Sequence, residues 1–390
     1  MSPDLSEFDD RPTKTIKSSI EVGRDGGEFE TGELSAPIEL SSDWDRVLEG
    51  FGLDPAIFFV VDDTVRMSKW QQSKRTESGD RDIVWLYSYK ARFARRSPQA
   101  TETDISELRA KIDKWRPRAT VSGKTDARPC TFVINWADWQ VGKSEGGGVA
   151  ATVDRVQKSF EDCLTRIKEL RKAGRNIEQV AIFNMGDPSE GCDGNYASQR
   201  FTVQLNLRAQ LNLVLDLWTQ GVASLEPNIF ASVLCNHGEW TRNGGAKPVT
   251  GDSDNVGGYL GDTLQRVFNG AGPTQWHIAH DEMVQSLNLS GVDIAITHGH
   301  KITGKEFEWL RGQAQRIQFD TGEMPRLWIT AHRHHVAVED FGAFWRFQCP
   351  SLDGGSKWYA DSSGKWSTPG TLTLLVGNHD PRGWSDMAVL

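Results

Sequence analysis

Five apolar segments of this chain each run directly into a group of polar side chains. In chain order they are FVINWADWQ, AIFNMGDPSEG, FASVLCNHGEW, IAITHGH and LWITAHRHH. Short apolar runs bounded by turn-forming residues are typical of buried β-strands, and helical spacing of apolar residues between the first three segments predicts βαβ connections. We therefore expect these Asp, Asn, Gln and His side chains at the carboxyl ends of strands, where ligands bind in open α/β sheets.

The stretches between these segments have the apolar spacing of helices. From Val153 to Leu170 apolar side chains recur three and four positions apart, and Gly174 ends the run. Further helices are predicted over roughly 199–220 and 254–268. In the C-terminal part the alternating stretches FWRFQCP and TLTLLV predict antiparallel strands that close a second sheet.

Composition and cysteine use are those of a globular protein in a reducing compartment. Hydrophobic residues make up 38% and charged residues 25% of the 390 positions, and no apolar run reaches the roughly 18 residues of a membrane-spanning helix. The acidic, polar start of the chain has no basic and apolar regions of a secretory signal. The five cysteines are odd in number and widely spaced, which predicts free thiols in a cytoplasm, or in the host cytoplasm if a bacteriophage encodes the chain.

Charge divides the chain into regions. Residues 1–63 carry 5 Lys/Arg against 16 Asp/Glu, whereas residues 64–125 carry 15 against 7. Four regions are predicted: an acidic, disordered tail over 1–40, a small basic and aromatic module over 41–97, a helical linker over 98–127, and the main domain with the five polar segments over 128–390.

The basic module contains a strand in which aromatic and apolar residues alternate with others. One face is predicted to carry Ile83, Trp85, Tyr87, Tyr89 and Phe93, and the other face Lys90 and Arg92. Basic and aromatic side chains together are typical of surfaces that hold a phosphate backbone and stack bases. The alternative is a half-buried strand with a solvated basic edge.

The donor chemistry of the five polar groups indicates a pair of metal ions. Carboxylate, amide oxygen and imidazole donors suit two neighbouring divalent cations better than one structural zinc. Such paired cations are typical of hydrolysis at phosphorus.

The order of the polar groups resembles that of the calcineurin-like metallophosphoesterases. Their pattern runs Asp-x-His, Gly-Asp-x-x-Asp, Gly-Asn-His-Asp/Glu, a lone His and Gly-His-x-His, and ADWQ, GDPSEG, CNHGE, THGH and AHRHH occupy these places here. Within the family the chain looks most like the double-strand-break repair nuclease branch and its bacteriophage-encoded relatives. The resemblance implies an α/β fold, a sandwich of two mixed β-sheets flanked by helices, here preceded by the small N-terminal module.

The resemblance also implies a set of site residues. The metal ligands carried over are Asp138, Gln140 and His334 for one cation, Asn236, His298 and His332 for the other, and Asp187 as the bridge between them. His237 would stabilise the transition state or protonate the leaving oxygen, and Glu239 would orient it.

The chain departs from the family pattern at several positions. Gln140 stands where a histidine is usual, and its weaker amide oxygen favours manganese, or magnesium, over zinc.

The polar, Gly-rich segment 241–255 is expected to form a loop over the metals, from which Arg242 and Lys247 hold substrate phosphates, and His300 is a further candidate substrate contact. The sequence GNHD at 377–380 also matches the third motif, but it comes too late in the chain order.

The leading functional prediction is a two-metal-dependent phosphodiesterase, a DNA endo- or exonuclease of repair, recombination or phage DNA metabolism. A phosphatase or nucleotide phosphodiesterase acting on small substrates is the first alternative, which the net charge of −9 favours. A non-catalytic scaffold with a degenerate metal site is the second, which Gln140 permits. The expected partners are DNA or a small phosphoester, with a homodimer or a partner ATPase as further possibilities and no membrane.

Overall fold

The computed structural model describes residues 16–23, 25–75, 81–96, 101–115, 128–196, 199–240, 242–243, 247–248, 250–355, 360–361, 364 and 366–390. The chain divides into two compact units, Met1–Ser97 and Pro98–Leu390.

The first unit is an antiparallel sheet with one helix. Its elements are β1 (Ser19–Val22), β2 (Gly26–Glu30), α1 (Ser41–Gly50), β3 (Phe58–Val60), a 3₁₀ turn (Asp62–Thr64), β4 (Arg66–Arg75) and β5 (Arg81–Arg95). The long strand β5 pairs with β2, β3 and β4. Leu48 of α1 packs with Phe29 and Phe93 in a small buried core, so the unit has an apolar centre of its own.

The prediction of a disordered tail over 1–40 is wrong for its second half. Strands β1 and β2 pair in register from Ser19 with Glu30 to Val22 with Gly27. Polar composition concealed these strands, because β1 is held by β2, and β2 is held by its pairing with β5 and by a buried aromatic side chain, Phe29, which is 1% exposed. Residues 1–15 lie outside the described part of the chain.

The second unit contains the remaining strands. They are β6 (Pro129–Trp136), β7 (Asn176–Asn184), β8 (Ile229–Ser232), β9 (Arg242–Asn243), β10 (Lys247–Pro248), β11 (Gln275–Ile278), β12 (Gln285–Leu289), β13 (Val292–Thr297), β14 (Leu327–Thr330), β15 (Ala337–Asp340), β16 (Trp345–Gln348), β17 (Leu372–Val376) and β18 (Trp384–Val389).

Most of these strands form two mixed sheets. The first sheet has the order β11-β8-β7-β6-β17-β18, in which β6, β7, β8 and β11 are parallel and β17 and β18 are antiparallel additions. The second has the order β12-β13-β14-β16-β15, with β13, β14 and β16 parallel. Apolar side chains such as Phe183 of the first sheet and Ile294 and Phe347 of the second share one buried cluster, so the two sheets pack face to face.

Helices cover the outer faces of both sheets. They are α2 (Glu102–Lys114), α3 (Gly148–Lys172), α4 (Leu207–Leu225), α5 (Val256–Val267) and α6 (Glu306–Thr321). The first four share a buried cluster with the first sheet, and Leu310 of α6 packs on Trp328 and Phe344 beside the second sheet. The predicted sandwich of two mixed sheets flanked by helices, preceded by a small module, is confirmed.

Two helices differ from their predictions, the first because of its packing and the second because of its N-terminal cap. Ile105 and Ile112 of α2 are buried against α3 and α4, so the helix expected within the linker over 98–127 is part of the second unit. Helix α4 begins at Leu207 rather than near residue 199, because the Asn206 side chain accepts a hydrogen bond from the Ala209 backbone N–H at 2.9 Å and caps the helix there.

The parallel strands place the five polar segments at the carboxyl edges of the two sheets. Strands β6, β7 and β8 of the first sheet and β13 and β14 of the second each end just before one segment. The GNHD sequence at 377–380 follows β17, which runs antiparallel to β6. Arg128, at the start of β6, donates a hydrogen bond to the His379 carbonyl at 3.1 Å, so GNHD lies at the opposite edge from the five segments.

Candidate metal centre

Side chains that follow several strands of both sheets meet at the carboxyl edge. One ligand atom from each of Asp187, His298 and His332 lies within 4.8 Å of the others. Asn236 Oδ1 is 3.0 Å from His298 Nε2, and Asp138 Oδ1 is 3.2 Å from His334 Nε2. The triad and the two pairs together contain six of the seven predicted metal ligands. A hydrogen bond links the triad to the second pair, because the His332 backbone N–H donates to Asp138 Oδ2 at 3.1 Å.

The backbone is strained where these side chains are presented. Five of the eight non-glycine residues with positive φ in the described chain are predicted ligands: Asp138 (50°), Gln140 (42°), Asp187 (49°), His332 (74°) and His334 (55°). Each such residue costs about 1–3 kcal/mol, and such strain is found mainly at functional sites. The loops that carry it hold one another, because Gln140 N–H donates to the Asp187 carbonyl at 2.9 Å.

Gly186 allows two strand ends to approach each other. Its φ is +102°, and a Cβ at this position would lie 2.5 Å from His298 Nδ1 and 2.8 Å from Cys235 Cβ. Real Cβ atoms do not approach other heavy atoms so closely, so the site can form in this geometry only with glycine before Asp187.

His298 is oriented so that one ring nitrogen faces the donors. Its Nδ1 donates to the Met185 backbone carbonyl at 2.8 Å, which leaves Nε2 toward Asn236 Oδ1 and Asp187 Oδ2, both at 3.0 Å. Burial lowers the pKa of His298, but the Asp187 carboxylate outweighs it and raises the pKa to about 9. His298 Nε2 therefore faces two acceptor oxygens, and either a proton on this nitrogen or a metal cation between the three atoms makes the arrangement favourable.

Two other histidines of the site are neutral near pH 7. Burial and the neighbouring charge of His298 lower the pKa of His332 to about 4 and that of His300 to about 2. Both ring nitrogens of His300 are buried without a hydrogen-bond partner in the described chain, and its ring centroid lies 5.4 Å from that of His298. A neutral imidazole keeps a lone pair for a cation or a hydrogen bond for a substrate.

Two residues that the sequence analysis did not select complete the site. Asp353 Oδ2 lies 3.4 Å from His334 Nδ1 and 2.6 Å from Lys143 Nζ, and Lys143 is 6% exposed. Burial lowers the pKa of Lys143, but Asp353 and Glu190 raise it above its ordinary value. Asp353 follows β16 as the other polar groups follow their strands, so the same rule applied to FQCPSLDGG would have found it.

Gln140 faces two neighbours other than the predicted cation ligands. Its Oε1 accepts a hydrogen bond from Lys143 Nζ at 3.2 Å, and its Nε2 lies 3.4 Å from His237 Nε2. The structure thus brings Gln140 to the edge of the site, between a buried lysine and the predicted catalytic histidine.

His237 is held by Asp187 and Glu190. Its backbone N–H donates to Asp187 Oδ1 at 3.0 Å, and its Nδ1 donates to the Glu190 carbonyl at 2.7 Å, with Glu190 Oε2 3.6 Å away. Glu239, predicted to orient this histidine, pairs with Lys301 at 3.3 Å. Glu190 is therefore the carboxylate that the structure shows beside His237.

Only the backbone of the predicted substrate contacts Arg242 and Lys247 belongs to the described part of the chain. Strands β9 and β10 form a two-residue ribbon with Lys247 opposite Asn243, and the side chains of Arg242 and Lys247 lie outside the described part of the chain. Across the described residues, no helix combines the length and apolarity needed to cross a membrane.

The donor set fits hard or borderline divalent cations. The buried Asp187 Oδ2 and Asp138 Oδ1 face histidine nitrogens at 3.0 and 3.2 Å. Cys235 is buried nearby, and burial raises the pKa of its thiol well above the usual value, so it stays protonated. Oxygen and imidazole donors without thiolate are ligands of divalent cations.

Comparison with known proteins gives only distant structural likenesses. No family model and no curated protein matches the chain. An archaeal phosphodiesterase is 12% identical with a TM-score of 0.32, over 66% of this chain and 99% of that one. Vps29 of Entamoeba histolytica, complexed with zinc, is 11% identical with a TM-score of 0.30, over 62% and 84%. An uncharacterized Streptococcus pneumoniae protein, a predicted phosphoesterase, is 10% identical with a TM-score of 0.25, over 64% and 84%. Likenesses of this degree carry no argument about activity.

Proposed function

We propose that the chain is a two-metal-dependent phosphodiesterase that cleaves DNA, as an endo- or exonuclease of repair, recombination or phage DNA metabolism. The observation that carries the proposal is the convergence of Asp187, His298 and His332 within 4.8 Å beside the Asp138–His334 pair. Two donor groups that flank one shared carboxylate are the arrangement that phosphoester hydrolysis with paired cations requires.

The residues divide into two donor groups. Asn236, His298 and His332 would hold one cation and Asp138 and His334 the other, with Asp187 contributing to both. When bound, the two cations supply a nucleophile at neutral pH and offset the charge of the phosphate. We propose manganese as the ion, with magnesium as the second choice, because the donors include carboxylate and amide oxygens and no thiolate.

His237 is the group placed to move a proton. Its Nδ1 is committed to the Glu190 carbonyl at 2.7 Å, so Nε2 is the nitrogen that exchanges a proton with a reacting oxygen. Buried Glu190 holds the ring through this contact, and Tyr196 donates to Glu190 Oε1 at 2.5 Å. Arg242, Lys247 and His300 remain our proposed substrate contacts.

A basic and aromatic surface of the first unit supports the proposal of a nucleic-acid substrate. Strands β4 and β5 contain eight Lys or Arg residues against one acidic residue, Asp82. On one face Trp85 is 43% and Ile83 64% exposed, and Lys69 Nζ lies 4.3 Å above the Trp85 ring, whereas Tyr89 and Phe93 of the same predicted face are buried in the core. An exposed aromatic with basic neighbours is the kind of surface on which bases of a single strand stack.

A small phosphoester is the competing substrate, favoured by the net charge of −9, because DNA-binding proteins tend to be basic. Salt separates the two. The rate on DNA at sub-saturating substrate should fall steeply with rising salt if several phosphate contacts hold the substrate, and shallowly for a small ester.

The test is cleavage of linear duplex DNA, single-stranded DNA and a small bis-aryl phosphodiester, each with manganese and with chelator. Asp187→Asn keeps the side-chain shape and removes the shared charge, so it is the matched control. Manganese-dependent loss of DNA that the variant abolishes supports the nuclease. Turnover of the small ester alone would move the function to small substrates, and no turnover of any substrate would leave the non-catalytic scaffold.

A further inference from the structure

Lys143 is a buried cation at the edge of the metal centre. Its side chain is 6% exposed, and its Nζ lies 2.6 Å from Asp353 Oδ2 and 3.2 Å from Gln140 Oε1. Asp353 is itself fixed, because its Oδ1 accepts from the Ser351 hydroxyl at 2.7 Å and from the Gly355 N–H at 2.8 Å. A buried charge pair held in this way has little freedom to turn toward other partners.

The buried Lys143–Asp353 pair determines how the Gln140 amide is oriented. An ammonium group has three donors and no acceptor, so the amide atom that faces Lys143 is the oxygen. The amide NH₂ then points to the other side, where it lies 3.4 Å from His237 Nε2. The opposite orientation would place two donors, Lys143 Nζ and Gln140 Nε2, against each other.

The proton position on His237 agrees with this direction. The Glu190 carbonyl can only accept, so His237 Nδ1, 2.7 Å away, carries the proton and Nε2 has the free lone pair. The Gln140 NH₂ therefore faces an acceptor. The hydrogen-bond chain runs consistently from Lys143 through Gln140 and His237 to the Glu190 carbonyl.

From this geometry we infer that Gln140 is not a metal ligand but a positioning residue, which holds the His237 ring by a hydrogen bond to Nε2 that a reacting oxygen displaces, and which is itself held by Lys143 and Asp353. An amide NH₂ is a donor and has no lone pair for a cation. The first cation would then have Asp138, His334 and the shared Asp187 as its protein ligands. This inference rests on the proposed metal centre and changes the role that the sequence resemblance gave to Gln140.

Manganese stoichiometry tests the inference directly. Gln140→Met removes the amide at nearly constant volume. We expect the variant to keep two manganese ions per chain and to lose about tenfold or more in kcat on the bis-aryl phosphodiester with little change in KM. His334→Ala is the control that loses one manganese ion. Loss of one ion from Gln140→Met as well would overturn the inference.

Gln140→Glu separates the two roles more sharply. A carboxylate still accepts from Lys143, but it offers no proton to His237 and is a better ligand for manganese than an amide. A positioning role predicts the same loss of kcat as in Gln140→Met. A ligand role predicts tighter manganese binding with the rate retained, which would contradict the inference.

A metal-free measurement keeps this inference separate from the proposed function. If the wild-type chain bound no manganese, the proposed function would fail, whereas the contact between Gln140 and His237 would still be open to test. Unfolding midpoints in chelator for Gln140→Met, His237→Phe and the double variant form a double-mutant cycle. Non-additive shifts support the positioning contact, and additive shifts refute it.

Discussion

Gly186→Ala should damage the metal centre without a change in any ligand. The new Cβ would lie 2.5 Å from His298 Nδ1, which is about 0.9 Å short of ordinary van der Waals contact. Metal–ligand distances are held to within about 0.2 Å, so the displaced ring can no longer bind in its place. We expect manganese affinity to fall by roughly 10–100-fold, the range found when a ligand loses its support, or about 1.4–2.7 kcal/mol.

Gly174→Ala is the matched control for this prediction. Gly174 also has a positive φ, +91°, but a Cβ there meets nothing within 4 Å. Both variants carry the backbone cost of about 1–2 kcal/mol for a left-handed alanine, but only the Cβ at position 186 meets His298 and Cys235. Calorimetric titration with manganese, on variants whose circular dichroism matches the wild type, measures the difference. Equal manganese affinity in the two variants would refute the geometric account.

Three further predictions follow from other contacts. Asp353→Asn removes the charge that faces His334 Nδ1, so manganese affinity measured by calorimetry should fall about 10–100-fold, and unchanged binding would contradict the orienting role. The pKa of His298 is raised to about 9, so below that pH a proton must leave before a cation binds. Affinity should therefore weaken as pH falls below about 9, with net proton release seen by calorimetry in two buffers, and an affinity independent of pH from 7 to 9 would contradict this. Trp85→Ala should weaken binding of single-stranded DNA about fivefold or more by fluorescence anisotropy, whereas Trp366→Ala, at an exposed tryptophan of the second unit, should not, and equal effects would exclude stacking on Trp85.

The sequence predicts those parts of the site that depend on local order. Asp138, Asp187 and His298 each come directly after an apolar strand, and parallel strands bring such positions to one edge whatever the loops between them do. The same locality explains why the sandwich of two sheets was predictable, since alternating strands and helices leave few arrangements that bury both faces.

The missed features depend on contacts that are distant in the sequence. Lys143 and Asp353 are 210 residues apart and meet only when β6 and β16 have been placed in different sheets. The Glu190 carbonyl accepts a hydrogen bond from His237 Nδ1, a contact between residues 47 positions apart that spacing alone does not indicate. Strands β1 and β2 were missed because strand pairing, of β1 with β2 and of β2 with β5, rather than apolar composition, stabilises them.

The most direct test of the central claim is a crystal structure with manganese, with anomalous scattering recorded at the manganese edge. Two anomalous peaks roughly 3.5–4 Å apart are expected, one on each side of the Asp187 carboxylate. The first should lie beside Asp138 and His334 and the second beside His298 and His332. A single peak, or none, at saturating manganese would contradict the two-metal centre.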